Sequence, residues 1–130
     1  MPITFTIDRE RDFALFSGTG TLDVDDFLTT FDAYSKAGPV TLELYDFREV
    51  MGTNLSGEQI RTLAMVGASK SMERLAGSKT ALLVTSATDY GLSRMYQLLG
   101  EFESVPWDIS IFREPEEAYA WLGLSTPEPS

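Results

Sequence analysis

The chain has no cysteine and no histidine among its 130 residues. Without cysteine there are no disulfides, no thiolate nucleophiles and no Cys-based zinc or iron–sulfur sites. Without histidine, Ser-His-Asp and Cys-His catalysis are excluded, together with the commonest transition-metal ligand. Carboxylates, Lys, Tyr, Ser and Thr remain. Isolated carboxylates such as Glu43 and Asp46 do not form a convergent acid/base pair, so a non-enzymatic protein with no metal and no cofactor is expected.

Positive charge is also scarce, with 10 Lys and Arg against 20 Asp and Glu and a formal net charge of −10. Nucleic acid and anionic membrane surfaces would repel such a chain at long range. No apolar run approaches the roughly 20 residues of a membrane span. The start, MPITFTIDRE, lacks the apolar core and small-residue cleavage site of a signal peptide. The expectation is a cytoplasmic protein.

What is present is a 43% hydrophobic composition, enough for one core at this length. A single domain is expected over residues 1–124, with 125–130 a flexible tail. Ile3, Phe5 and Ile7 alternate with Thr4 and Thr6 as in a half-buried strand. Phe13 to Ser17 predicts a second, antiparallel strand, ended by Gly18 and Gly20. Asp23 and Asp26 have capping-box spacing, with Leu22 and Phe27 as the staple of a first helix. Val24, Phe27, Leu28, Phe31 and Tyr34 supply that helix with an apolar face.

Val40, Leu42 and Leu44 alternate with Thr41, Glu43 and Tyr45 in a third strand, which turns at Asp46 into an irregular run. A second helix opens at Ser56, with Gln59 completing a capping box and Leu55 and Ile60 a staple. Its inward face reads Ile60, Leu63, Ala64, Gly67, Ala68 and Ser71. Thr80 to Thr85 is continuously apolar, as in a central strand. A third helix near Thr88 would bury Leu92, Met95, Tyr96, Leu99 and Phe102. Trp107, Ile109 and Ile111 form a last strand, and Pro115 to Gly123 brackets a short final helix.

A hairpin followed by alternating helices and strands predicts an α/β fold: a singly wound, mostly parallel five-stranded sheet with helices mainly on one face. Right-handed crossovers between adjacent strands place the crossover helices together. The other face would be open, carrying Thr4, Thr6, Thr41, Glu43 and Tyr45 with Phe16 and Phe112 beside them, and offering a route to a homodimer.

This order resembles the STAS domain, the fold of the SpoIIAA-like anti-sigma-factor antagonists. In that family a strand ends in Asp and, eight residues on, Asp-Ser-Ser-Gly opens a helix whose second Ser accepts a phosphate. Asp46, Ser56 and Gly57 match this pattern, while Asn54 and Leu55 stand where the motif has Asp and Ser. Tyr90 to Leu99, YGLSRMYQLL, is similar to a segment of uncharacterised bacterial SpoIIAA-like proteins. The resemblance implies a regulatory module that binds another protein, such as an anti-sigma-type kinase. The partner-binding loop would comprise Asp46, Arg48, Asn54, Ser56 and Gly57, with Ser56 the candidate phospho-acceptor. From the residues alone, Ser56 is a helix cap, Arg48 a solvated loop charge, and Arg94 an ion-pair partner of Asp46 or Asp89. The architecture also resembles the lipid-carrying CRAL-TRIO domains. Met72, Tyr90, Met95 and Tyr96 would then line an apolar pocket for a small ligand, although such residues at helical spacing also suit a core.

Overall fold

The computed structural model describes residues 2–70, 77–86, 93–94, 96–97 and 108–127, the side chains of 67–70 excepted. Five strands, β1 (Ile3–Asp8), β2 (Phe13–Asp23), β3 (Leu42–Asn54), β4 (Lys79–Leu83) and β5 (Asp108–Phe112), lie side by side in chain order. The β1/β2 pair is antiparallel and every later pairing parallel. Helix α1 (Val24–Ala37) connects β2 to β3, and α2 (Gly57–Lys70) lies between β3 and β4. Residues 93, 94, 96 and 97, in the β4–β5 connection, are helical. The expected helix residues Leu92, Met95, Leu99 and Phe102 lie outside the described residues, as does Ser71. Helix α3 (Pro115–Leu122) follows β5.

Local chemistry sets the helix ends as expected. The Asp23 carboxylate accepts from Asp26 N while Asp23 N donates to the Asp26 carboxylate, a complete capping box. Pro115 opens α3, and Gly123, at φ 78°, closes it in the left-handed conformation. Ile60, Leu63 and Ala64 of α2 are buried.

The register places Phe5, Phe16, Tyr45, Leu82 and Ile111 in one row across the sheet. These residues belong to the cluster that includes Phe27, Phe31 and Tyr34 of α1 and Leu63 of α2. The opposite face carries Phe13, Leu44, Ala81 and Leu83 under Ala118, Tyr119 and Leu122 of α3. Lys79 anchors α3 further, donating to the Trp121 carbonyl at 2.8 Å with its ammonium 5.2 Å from the indole centroid.

The open face predicted from the sequence is therefore corrected. Glu43 and Tyr45 are buried beside Phe16 on the α1/α2 face, and Phe112 packs with Trp121 on the other. The Glu43 carboxylate accepts from Thr80 Oγ1 at 2.9 Å. Thr41 is half-buried, its hydroxyl donating to the Asp12 carboxylate, and Thr4 and Thr6 alone of the set are exposed. Handedness constrains crossover helices only. Helix α3 follows the last strand, crosses no further strand, and is free to cover the second face. A homodimer route centred on Glu43 and Tyr45 is thereby removed.

Candidate functional site

Both central strands run further than their sequence suggests. Strand β2 continues past Gly18 to Asp23, and β3 continues past Asp46 to Asn54, so the expected turn and irregular run are strand. The β3–β4 register ends at Asp46↔Leu83, whereas the β2–β3 register goes on to Asp23↔Asn54. This pair forms a ribbon that projects past the end of β4 and leads directly into the starts of α1 and α2.

Two bulges put an extra residue into β3, between Ser17/Thr19 and between Gly20/Thr21 of β2. At the first, glycine lets side chains of β3 come close. A Cβ at Gly18 would come 3.0 Å from Val50 Cγ2 and 3.1 Å from Phe47 Cδ1. Gly20 meets the second bulge with φ 71°, a conformation that favours glycine.

Asp46 and Arg48, two apart on one strand, share a face. The Asp46 carboxylate accepts from Arg48 Nε at 3.1 Å and Nη2 at 2.8 Å, and from the Arg48 backbone N–H at 3.1 Å. Burial acts to raise the Asp46 pKa, but these bonds and the Arg48 charge outweigh it and hold the carboxyl below its usual value. The bond to Asp46 in turn raises the Arg48 pKa. Tyr119 is pushed up by burial, assisted by the Asp46 charge. Since the folded-state pKa of Asp46 is depressed, its contribution to stability is complete above about pH 4 and is lost as pH falls through the folded value. Arg48 remains largely solvated, so Asp46→Asn is expected to cost only about 0.5 kcal/mol at pH 7. Urea titrations should show that difference shrinking below about pH 4.

Ser56 is the N-cap of α2. Its hydroxyl accepts from Gln59 N at 3.1 Å, and its own N–H donates to Gln59 Oε1 at 2.9 Å. The capping box predicted from the sequence is present, and Ser56 stays exposed together with Asn54 and Gly57. Arg94 does not pair with Asp46: its guanidinium donates to Gln97 Oε1, while the Asp46 carboxylate accepts from Arg48. Asp89 lies outside the described residues. Met51, 89% exposed on the outer side of β3, was not anticipated. The sequence does not single it out, since apolar Val50 adjoins it and Phe47 and Leu55 are close by.

On the inner side of the ribbon is an apolar cavity of about 70 Å³. Leu22, Phe47, Val50, Thr53 and Leu55 form its ribbon wall, Phe27 and Phe31 the α1 wall, and Ile60 and Leu63 the α2 wall, with Tyr45 and Leu82 from the sheet and Ser93 and Tyr96 completing it. Of the expected pocket residues Tyr96 is in place, while Met72, Tyr90 and Met95 lie outside the described residues. Thr53 Oγ1 is buried without a hydrogen-bond partner. The described residues contain no cluster of acidic side chains able to hold a metal, and no helix among them is long and apolar enough to cross a membrane.

No protein-family model matches the chain, and no curated protein matches it. Solved structures do. A DUF3478-family protein with a SpoIIAA-like fold from Shewanella loihica PV-4 is similar at 19% identity and TM-score 0.54, over 92% of this chain and 93% of that one. The anti-sigma factor antagonist SpoIIAA in its unphosphorylated form is similar at 17% identity and TM-score 0.54, over 93% and 97%. The chain has a SpoIIAA-like fold.

Proposed function

We propose that this chain is a non-catalytic, cytoplasmic regulatory module that binds another protein through the β2/β3 ribbon and the start of α2. The observation that carries the reading is Met51, left 89% exposed. Covering such a side chain is favourable by about 1.5–3 kcal/mol. Arg48, Asn54 and Ser56, all exposed and within five residues of it along the chain, supply polar groups for the rim of such an interface. A structural neighbour is an anti-sigma factor antagonist, and a regulator such as an anti-sigma-type kinase is the kind of partner that suits this surface.

Ser56 is physically receptive to phosphate, because the first turn of α2 offers unpaired N–H groups and the positive end of the helix dipole. A phosphoserine adds nearly two negative charges at the rim. In this reading phosphorylation of Ser56 switches partner affinity.

A partner captured from native lysate provides the test. Met51→Asp and Ser56→Asp are each expected to weaken its binding at least about tenfold. Met51 is exposed, and Asp is itself a good N-cap, so both variants should melt close to the wild type. Unchanged capture by both variants would sink the proposal.

The cavity favours a second reading, in which the chain senses or carries a small apolar ligand, as the resemblance to CRAL-TRIO domains also implies. Its walls are almost entirely hydrocarbon and aromatic, the usual lining of a small-molecule site.

A further inference from the structure

Resting on that second reading, we infer that the cavity takes a neutral molecule, an apolar body bearing one hydrogen-bonding group, and discriminates against carboxylates and ammonium ions. None of the described lining side chains carries a charge at neutral pH; besides hydrocarbon and phenyl groups they include the hydroxyl-bearing Tyr45, Thr53, Ser93 and Tyr96. The Asp46–Arg48 pair lies on the opposite sheet face, since Asp46 follows Tyr45 along the strand and Tyr45 faces the cavity. Among the described residues that line the cavity no side chain supplies a counter-ion, and a charge buried without one is the costliest form of burial.

The volume sets the scale of the body. About 70 Å³ is roughly half the 150 Å³ of an apolar cavity that accepts benzene. The enclosed part thus takes a short alkyl segment, with the remainder of a longer molecule reaching toward the opening. The polar group is assigned to Thr53, whose buried hydroxyl lacks a partner. Threonine χ1 has staggered alternatives, so this hydroxyl can turn to a group that a ligand brings alongside it. A hydroxyl or carbonyl suits it, because Thr both donates and accepts.

The experiment titrates the full chain at pH 7 with n-hexanol, hexanoate, hexylamine and n-hexane, following amide NMR shifts and melting temperature. Hexanol is expected to shift the signals of Leu22, Thr53 and Leu63. Hexanoate and hexylamine should bind about a hundredfold more weakly or worse. Thr53→Val keeps the shape of the side chain and should weaken hexanol about tenfold while leaving n-hexane unchanged. Binding of none of the four probes overturns this inference and the ligand reading together. Hexanoate matching hexanol, or Thr53→Val leaving hexanol unaffected, overturns the assignment of a neutral head while the cavity remains a ligand site.

Discussion

Phe16→Ala is expected to remove about 3–5 kcal/mol of unfolding free energy, a large fraction of what a domain of this size possesses. Phe16 has no exposed surface and lies at the centre of the aromatic row. Its ring stacks on Tyr45 at 4.1 Å and 6°, meets Tyr34 edge-on at 4.9 Å, and lies 5.5 Å from Phe5. Truncation would leave a void bounded by β1, α1 and β3 at once, three elements tied to one another through the sheet. Each ring pair adds about 0.5–1.5 kcal/mol beyond the area buried. Urea unfolding measures the loss, and a change below about 1 kcal/mol would mean that this row is not the core.

Tyr119→Ala is expected to cost about 3 kcal/mol, from the opposite side of the sheet. Tyr119 is 7% exposed and lies 6.0 Å from Phe13, ring to ring. Together with Ala118 and Leu122 it covers Phe13, Leu44, Ala81 and Leu83. A chain cut before Pro115 would present these residues to water as one apolar patch, and it should bind a hydrophobic dye and aggregate. Were the second face open to solvent by design, both changes would be nearly neutral.

These two predictions touch the place where sequence and structure diverge. Capping boxes at Asp23 and Ser56, the alternation of Ile3, Phe5 and Ile7, and the Pro115–Gly123 bracket are local signals, and each is where its chemistry puts it. Which face of β3 meets the helices is not local. Leu42, Leu44, Glu43 and Tyr45 are all covered, since both faces carry helices, and period-two reasoning loses its contrast. The ribbon was hidden for another reason. Its inward residues, Phe47, Val50 and Thr53, recur every three positions because each bulge inserts one residue. A strand with bulges reads as an irregular run.

The candidate site was partly legible. Asp46, Ser56 and Gly57 came from the resemblance, and the Ser56 cap from spacing alone. The Asp46–Arg48 pair became visible only with strand geometry, which puts residues two apart on one face. Met51 and the cavity needed the fold, because the cavity walls are drawn from residues 22 to 96 and no short window contains them.

Hydrogen–deuterium exchange of the chain, alone and with its native partner bound, tests the central claim most directly. The expected result is slowed exchange confined to residues 47–58 and the β2 residues paired with them, 19–23, with α3 and the β1 edge unchanged. Protection centred on α3 or on β1, with 47–58 exchanging as in the free chain, would contradict the proposed role of the ribbon.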